Sequence, residues 1–346
     1  MAGDLGSLQS PRSGDGPDPS ALPESRDPDA FRATALAIEH EVAKVIVGQQ
    51  EAVRGVLTCL VADGHGLLEG VPGVGKTSLA LAFAAALGLE YNRLQFTPDL
   101  LPADITGTTV LYGDPSRGLR PQFEPGPVFC NLLLADEINR ASPRTQSALL
   151  EAMQERTVTV AGTTRELERP FCVLATQNPI EMQGTYPLPE AQLDRFLLKL
   201  QFGYPSADEL PAIVTQAPTG RVERVDVVAG AAELQAMSSL AHEVPASSEV
   251  IGLISRLLLA LQPTGGADQL VRDYVQLGPS PRGGQALTIA GRITALLDGR
   301  HNLSIADVCA VAEPALRHRL VLNFDAEREG VAPETIVTET LDRLTG

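Results

Sequence analysis

One short stretch constrains the fold of this chain more than any other. Residues 70–77 read Gly-Val-Pro-Gly-Val-Gly-Lys-Thr, which has the G-x-x-x-x-G-K-T spacing of a phosphate-binding loop. Residues 66–69 suit the end of a strand, and residues 78–87 have helical spacing with leucine and phenylalanine on one face. A strand, this loop and a helix in that order are the context in which the motif binds phosphate. The stretch therefore predicts an α/β fold built on a parallel sheet.

The motif also predicts which residues hold a nucleotide. Its glycines let backbone N–H groups converge on an anion, and the helix that follows adds its positive N-terminal end. Lys76 is expected to reach the β- and γ-phosphates of ATP, and Thr77 to place its hydroxyl on Mg²⁺. The predicted nucleotide-binding residues here are Gly70, Val71, Pro72, Gly73, Val74, Gly75, Lys76, Thr77 and Ser78. A chance match in a glycine-rich turn is the alternative, and with only three lysines in the chain such a match is rare.

A second motif follows downstream of the loop. An apolar run that starts at Val128 ends in Asp136 and Glu137, which is typical of a buried parallel strand with acids at its carboxyl end. Ligands bind at that edge of open α/β sheets. Asp136 is expected to hold Mg²⁺ through water, and Glu137 to polarise the water that attacks the γ-phosphate. Two solvated acids at a strand end are the alternative, which the upstream loop makes the weaker interpretation.

A further buried strand is predicted at residues 171–175, and polar residues follow it. Asn178 is the candidate among them, because a polar side chain at a neighbouring strand end can orient the attacking water. A simple turn residue before proline is the alternative interpretation of Asn178.

Composition limits the classes of protein to which this chain can belong. The 346 residues, 44% hydrophobic and 20% charged, suit a globular protein of about two domains. No apolar run reaches the length of a membrane span, and no basic start precedes an apolar segment, so neither membrane insertion nor secretion is expected. Four widely spaced cysteines predict buried free thiols in a reducing, cytoplasmic setting.

The net charge of −16 bears on partners. A protein that binds duplex DNA needs a dense basic surface, and the arginines of this chain are scattered. Nucleic acid is therefore disfavoured as a partner, although a locally basic pore loop stays open as an exception.

The chain divides into three predicted parts. Of residues 1–30, fourteen are Gly, Pro or Ser and six are acidic, which predicts a disordered tail. Residues 31–204 hold the motifs above and form the predicted nucleotide-binding domain. Residues 205–346 are predicted to form an α-helical lid, since apolar residues recur at helical spacing in 250–261 and 286–297.

Several longer stretches carry a family resemblance. They are residues 96–102, 132–143, 146–155, 175–179 and, most specific of all, 184–196, which read Gly-Thr-Tyr-Pro-Leu-Pro-Glu-Ala-Gln-Leu-Asp-Arg-Phe. These stretches resemble the MoxR family of AAA+ ATPases, and the similarity runs from about Phe31 to near the C-terminus. The resemblance places the chain in a clade, shared with magnesium chelatase and replicative helicases, that has two insertions. They are expected within residues 97–126 and 157–169.

The resemblance implies roles for further residues. Asn178 matches the first sensor of the γ-phosphate, and Arg282 matches the second sensor, which the lid carries. Arg195 matches the arginine finger that reaches the ATP of a neighbouring subunit. From the residues alone, an arginine at position 195 is more often a solvated surface charge or a member of an intrahelical ion pair than a finger. Val47 and Gly48 match the segment that packs near the adenine.

The resemblance also implies an activity and partners. It implies an Mg²⁺-dependent ATPase that assembles as a homo-oligomer, a hexameric ring, and acts as a chaperone-like motor. Its output is implied to be remodelling, maturation or cofactor or metal insertion in a protein client, with a partner that bears a von Willebrand factor A domain. Three alternatives stand beside it: a nucleic-acid motor of the same clade, a small-molecule kinase and a non-hydrolysing scaffold. The nucleic-acid motor would need more basic pore loops than Arg165 and Arg169 supply.

Overall fold

The computed structural model describes residues 27–113, 119–178, 184–216, 224–264 and 268–346. Most of the predicted tail, residues 1–26, lies outside the described residues. The first helix begins at Pro28, slightly earlier than the sequence predicts, because Asp27 caps it. The Asp27 carboxylate accepts a hydrogen bond of 3.0 Å from the Asp29 amide, and proline suits the first helical position.

The first part of the chain alternates helices and strands. In chain order it contains α1 (Pro28–Ala43), α2 (Gln50–Val61), β1 (Gly66–Gly70), α3 (Lys76–Ala86), β2 (Tyr91–Gln95), α4 (Pro102–Thr106), β3 (Gly107–Tyr112), β4 (Arg120–Pro125), β5 (Leu132–Asp136), α5 (Pro143–Glu155), β6 (Thr157–Val160), β7 (Thr163–Glu166), β8 (Cys172–Gln177), α6 (Glu190–Leu193) and β9 (Leu198–Phe202). Five of the strands form one parallel sheet of order β2-β5-β8-β1-β9. The predicted α/β class is confirmed.

The central strand β5 shows why the sheet forms where it does. Leu132 and Leu134 point into the core that α1, α2 and α3 cover, whereas Leu133 and Ala135 point into the core on the opposite face, which α5 covers. A strand buried on both faces requires a continuous apolar run, and this run supplies one. β5 begins at Leu132 rather than at the predicted Val128, because the residues just before it form a backbone turn instead.

The second part of the chain is mostly helical. It contains α7 (Leu210–Gln216), α8 (Ala231–Glu243), α9 (Ser248–Ala260), α10 (Gln269–Tyr274), β10 (Val275–Leu277), α11 (Pro281–Leu297), α12 (Ile305–Leu316), β11 (Val321–Leu322), α13 (Phe324–Glu329) and α14 (Pro333–Thr345). α8, α9, α11 and α12 contribute to the same apolar core as α1, α2 and α3. The structure thus confirms a C-terminal helical lid, and the lid shares a core with the sheet domain.

The beginning and the end of the lid helix α12 are determined by nearby residues. Ser304 and Asp307 form its N-terminal cap, in which the Ser304 amide donates to Asp307 Oδ2 at 2.8 Å. The helix continues to Leu316, two residues past Pro314, where the sequence predicts an end or a kink. A proline removes only one backbone hydrogen bond, and the buried Ala315 and Leu316 hold the last turn against the core.

The structure shows the state of the cysteines and the character of the helices. All four thiols are free; Cys59, Cys130 and Cys172 are buried, and Cys309 is half-buried. Burial raises the pKa of Cys59 to about 12, so this thiol stays protonated. Within the described ranges, no helix combines the length and apolar character needed to cross a membrane.

Candidate functional site

The phosphate loop joins the carboxyl end of β1 to the first turn of α3. Gly73 and Gly75 have φ angles of +83° and +94°, which other residues rarely adopt. A Cβ at either position would meet no described atom within 4 Å, so backbone conformation rather than crowding requires glycine there. Gly70 differs, because its Cβ would lie 2.7 Å from Phe202 of the adjacent strand. The loop is thus closed on its strand side and open where phosphate oxygens would lie.

Lys76 connects the loop with the second motif. Its Nζ donates a hydrogen bond of 2.7 Å to the carbonyl of Gly70, so the side chain lies over the loop. Burial lowers the pKa of Lys76, whereas the negative charges of Asp136, Glu137 and Glu69 oppose that shift. The ammonium group therefore experiences the field of both predicted acids, and the structure brings the two motifs together.

Asp136 ends β5, and both of its carboxylate oxygens have partners. Thr176 of β8 donates from Oγ1 to Asp136 Oδ1 at 2.6 Å. Arg93 of β2 pairs with the other oxygen, with 2.6 Å between Arg93 Nη2 and Asp136 Oδ2. The strands on both sides of β5 thus fix the orientation of this carboxylate, and Arg93 balances part of its charge.

Glu137 is held in an uncommon conformation. Its φ angle is +56°, in the left-handed region that few residues with side chains adopt. The Glu137 amide donates to Thr176 Oγ1 at 2.8 Å, which stabilises this turn. Its Oε2 accepts a hydrogen bond of 2.9 Å from Gln95 Nε2 and lies 2.8 Å from Arg140 Nε. One threonine thus connects both acids, and two side chains of the same subunit hold the Glu137 carboxylate.

The oxygen donors at this edge fit magnesium. Thr77 supplies a hydroxyl on the first turn of α3, and Asp136 supplies a carboxylate at the end of β5. Hydroxyl, carboxylate and water oxygens are the ligands that Mg²⁺ prefers, together with substrate phosphates. Since both Asp136 oxygens already accept hydrogen bonds, this chain suits a metal bound through water.

Asn178 lies at the same edge. It follows the last residue of β8, and β8 lies between β5 and β1 in the sheet. Asn178 is therefore placed between the acids at the end of β5 and the phosphate loop after β1. Asn178 is 7% exposed, so it is buried at this edge of the sheet.

The turn between α1 and α2 contacts the beginning of the lid. Val47 and Gly48 are half-buried, and Gly48 has a φ angle of +69°. A Cβ on Gly48 would lie 2.1 Å from Glu209 Oε1, at the flexible end of a lid side chain, so the positive φ angle rather than this contact favours glycine here. Next to it, Gln49 Nε2 donates to the carbonyl of Gly203 at 3.0 Å. These contacts join the predicted adenine segment to the boundary between the sheet domain and the lid.

Arg195 and Arg282 lie apart from the phosphate loop and the two acids. They line one cavity of about 290 Å³, together with residues from α5 and from the turn before β1. None of the residues lining this cavity belongs to the phosphate loop, and neither predicted acid is among them. Arg195 Nη1 donates to the carbonyl of Leu150 at 2.5 Å, and its buried Nε has no partner among the described residues. The structure therefore separates the two arginines from the motifs of their own chain and places them together.

Known proteins are similar to this chain. Residues 65–198 match the model of the ATPase family associated with various cellular activities (AAA), and residues 267–340 match the AAA lid domain. Chaperone MoxR1 of Mycobacterium tuberculosis (strain ATCC 25618 / H37Rv) is 42% identical over 310 residues, which cover 88% of this chain and 80% of that protein. The chain belongs to the MoxR family of AAA+ ATPases.

Further relatives agree with this membership. The uncharacterised protein YeaC of Bacillus subtilis (strain 168) is 43% identical over 311 residues, covering 89% of this chain and 93% of YeaC. A crystal structure of a proposed ATPase from Cytophaga hutchinsonii ATCC 33406 superposes with a TM-score of 0.84 at 36% identity. The match covers 91% of this chain and 95% of that one. Family membership and this structural likeness identify the chain as an ATPase.

The insertions that mark this branch of the AAA+ proteins form two hairpins. One pairs β3 with β4 within residues 97–126, and the other pairs β6 with β7 within residues 157–169. The guanidinium of Arg165 lies 3.7 Å above the ring of Phe123, which in turn packs edge-on against Phe129 at 5.6 Å. Arg169 pairs with Asp63 at 3.8 Å. Arg165 and Arg169, the two arginines considered for a nucleic-acid motor, thus each have a protein partner.

Sequence reasoning missed four side chains that contact the two acids. They are Arg93, Gln95, Arg140 and Thr176. The alternation of Arg93 and Gln95 along a predicted strand was a signal that both share one face. The sequence gives no indication, however, that this strand lies directly beside β5. The acids that Arg93 and Gln95 contact therefore depend on the strand order.

Proposed function

We propose that this MoxR-family ATPase hydrolyses ATP at the interface between two copies of the chain. The open glycine loop and Lys76 bind the triphosphate, with Lys76 leaving the Gly70 carbonyl for the β- and γ-phosphates. Thr77 and Asp136 hold the Mg²⁺ ion, which supplies positive charge to the phosphate oxygens when bound. Val47 and Gly48 pack near the adenine, since they lie where the sheet domain meets the lid.

Glu137 and Asn178 act on the attacking water. Glu137 polarises it as a general base once its carboxylate leaves Gln95 and Arg140. Asn178 orients the water, because it is buried between the acids and the loop. Both groups lie at the carboxyl edge of the sheet, where open α/β sheets bind their ligands.

The observation that carries the interface is the position of the arginines. Arg195 and Arg282 share a cavity whose lining includes no residue of their own phosphate loop. In a ring, this surface of one subunit meets the phosphate loop of the next. A guanidinium supplied in this way stabilises the charge of the transferred phosphoryl group and is worth roughly 10³–10⁵ in rate in related NTPases. Arg195 thus acts as the finger and Arg282 as the lid-borne sensor.

The assembly we propose is a closed homo-oligomer, a hexameric ring. AAA+ ATPases of this kind generally oligomerise. The nucleotide-binding domain runs from the start of α1 at Pro28 to residue 204, and residues 205–346 form the lid. Because the lid shares its apolar core with α1, α2 and α3, a shift of the lid on hydrolysis reaches the sheet domain directly.

The output we propose is chaperone-like remodelling of a protein client in the cytoplasm. The two insertions are joined through Arg165 and Phe123, so they transmit motion as one unit. Exposed apolar residues near the first hairpin, Leu111, Tyr112 and Leu119, suit contact with a protein. This remodelling matures the client or inserts a metal or cofactor into it. A protein that bears a von Willebrand factor A domain acts as the partner.

The alternatives fit less well. A small-molecule kinase has no use for two arginines placed away from its own phosphate loop. A nucleic-acid motor is disfavoured by the charge of −16 and by the partners of Arg165 and Arg169.

Two measurements test the proposal. The specific ATPase rate is expected to fall as the protein is diluted, in step with the loss of rings measured by sedimentation. A rate that stays constant down to single subunits would favour the kinase and reject the interface. For the client, Glu137→Gln with ATP is expected to retain a bound protein that Lys76→Ala, as the matched control, does not. Equal capture by both variants would contradict nucleotide-dependent client binding.

A further inference from the structure

Asp194, the residue before Arg195, is held by two separate elements of the lid. Ser280 Oγ donates a hydrogen bond of 2.7 Å to Asp194 Oδ2. Arg319 Nε lies 2.9 Å from Asp194 Oδ1 and donates to it. Each carboxylate oxygen thus has its own lid partner, and Asp194 joins the sheet domain to the lid beside the proposed finger.

Ser280, which contacts Asp194, also contacts Arg282. Ser280 is the N-terminal cap of α11, and its Oγ accepts a hydrogen bond of 3.1 Å from the Arg282 amide. The same hydroxyl therefore accepts from the backbone of Arg282 and donates to the side chain of Asp194. One oxygen atom separates the carboxylate next to Arg195 from the backbone of Arg282.

The contact with Arg319 fixes the other side of Arg195. Arg319 is only 3% exposed at its side chain, and Asp194 is 17% exposed. The Arg319 guanidinium also donates to the carbonyls of Phe196 at 2.7 Å and Leu197 at 3.2 Å. The segment on both sides of Arg195 is thus bound to one buried cation, whose charge Asp194 balances.

We propose that Asp194 is a positioning residue that sets Arg195 and Arg282 in a fixed relation, so that both reach the neighbouring subunit's nucleotide as one unit. This inference rests on the proposed function, because it assumes that the two arginines act across the interface. Asp194 lines the same cavity as Arg195 and Arg282, but both of its carboxylate oxygens are already bonded to lid residues. Its effect passes through the backbone on one side and through Ser280 on the other.

The first test separates turnover from nucleotide binding. Asp194→Asn keeps a group of the same shape and an acceptor for Ser280, and it removes the charge that faces Arg319. We expect kcat to fall about 10-fold or more while the ATP dissociation constant stays within about twofold, because misplaced guanidiniums lose transition-state stabilisation. Asp325→Asn, an exposed aspartate of α13 paired with Arg328, is the matched control with unchanged kcat. An unchanged kcat in Asp194→Asn would overturn the proposal.

The second test uses mixed subunits, which report the side of the interface that is defective. Asp194→Asn mixed with Lys76→Ala is expected to regain activity, since each variant supplies the surface that the other lacks. Asp194→Asn mixed with Arg195→Ala is expected to be no more active than the two separate variants together, because both defects lie on the same surface. Recovery in this second mixture would overturn the proposal. A general loss of stability would not separate the two mixtures in this way.

A reference mixture keeps the two claims apart. If Arg195→Ala and Lys76→Ala do not complement each other, the interface itself fails, whatever Asp194 does. If they do complement each other, the result for Asp194→Asn tests its positioning role alone. Should Asp194→Asn fold poorly, Ser280→Ala and Ser280→Thr carry the test. Ser280→Ala is expected to lower kcat at unchanged ATP affinity, and Ser280→Thr, which keeps the hydroxyl, is expected to restore it; equal rates in both would overturn the proposal.

Discussion

Gln95 Nε2 donates a hydrogen bond of 2.9 Å to Glu137 Oε2, from the end of β2 to the end of β5. Arg140 Nε lies 2.8 Å from the same oxygen. The carboxylate proposed to polarise the attacking water is thus held by two side chains of its own subunit. In the proposed mechanism these contacts open before turnover and so contribute to the barrier to hydrolysis.

Replacing Gln95 by alanine is expected to raise the basal ATPase rate. A hydrogen bond to a charged group at an exposed position contributes roughly 0.5–1 kcal/mol, so the rate should increase about two- to fivefold. Phosphate release at saturating ATP measures this change. The matched control is Gln201→Ala on β9, whose side chain bonds to Glu334 at 3.0 Å outside the site. A basal rate that falls in Gln95→Ala would contradict the restraining role.

The phosphate loop and the second acid are expected to separate binding from turnover. Lys76→Ala should abolish ATP binding, because it removes the cation that faces the phosphates. Glu137→Gln should keep binding and lower kcat by at least about 100-fold, since an amide cannot act as a general base. Nucleotide fluorescence and phosphate release, measured on the same samples, check both. Normal turnover in Glu137→Gln would remove Glu137 from the mechanism.

The stability of the fold is expected to decrease in acid before its carboxylates titrate. His65 is 5% exposed, and burial lowers its pKa to about 4. Its Nδ1 accepts from the Val173 amide at 3.1 Å, so the neutral ring donates from Nε2 to the Met153 carbonyl. Unfolded histidine titrates near a pKa of about 6.5, so between the two values only the unfolded state binds the proton. The free energy of unfolding therefore falls as the pH falls through this range.

The variant His65→Gln isolates this contribution. Glutamine can donate and accept in the same place but does not titrate. Denaturant unfolding between about pH 6 and pH 5 should show a slope smaller by about 1 kcal/mol per pH unit than in the parent protein. His318, whose pKa burial also lowers, keeps part of the slope in both proteins. Identical slopes would mean that folding leaves the pKa of His65 unchanged, which would contradict this prediction.

The two insertions are expected to be coupled energetically. Arg165 stacks on Phe123 across the two hairpins at 3.7 Å, and such exposed cation–π contacts contribute about 0.5–1 kcal/mol. A double-mutant cycle with Arg165→Ala and Phe123→Ala should return a coupling energy of that size in the free energy of unfolding. Arg165→Ala with Thr108→Ala, a residue on the neighbouring strand, is the control pair. Additive effects in the first cycle would show that the hairpins are independent.

The local motifs of this site were predictable from the sequence. The glycine loop, Lys76, Asp136 and Glu137 each depend on a short pattern that fixes a strand end or a helix start. The parallel sheet and the helical lid followed from apolar runs and helical spacing, and the structure confirms both.

The groups that hold the site were not predictable. Gln95 contacts Glu137 because β2 is the neighbour of β5, and strand order is a property of the whole sheet. Asp194 has partners 86 and 125 residues further along the chain, so only the packed lid brings them together. The separation of Arg195 from its own phosphate loop is likewise a consequence of tertiary packing.

The central claim is that two copies of the chain share each ATP, and mixing two inactive variants tests it most directly. Lys76→Ala lacks the loop cation and Arg195→Ala lacks the finger, but each keeps the surface that the other has lost. Mixed at equal concentration, the two should show ATPase activity above the sum of the separate samples, at up to about a quarter of the parent rate if subunits assemble at random. A mixture no more active than that sum, in rings shown to contain both variants, would contradict the account.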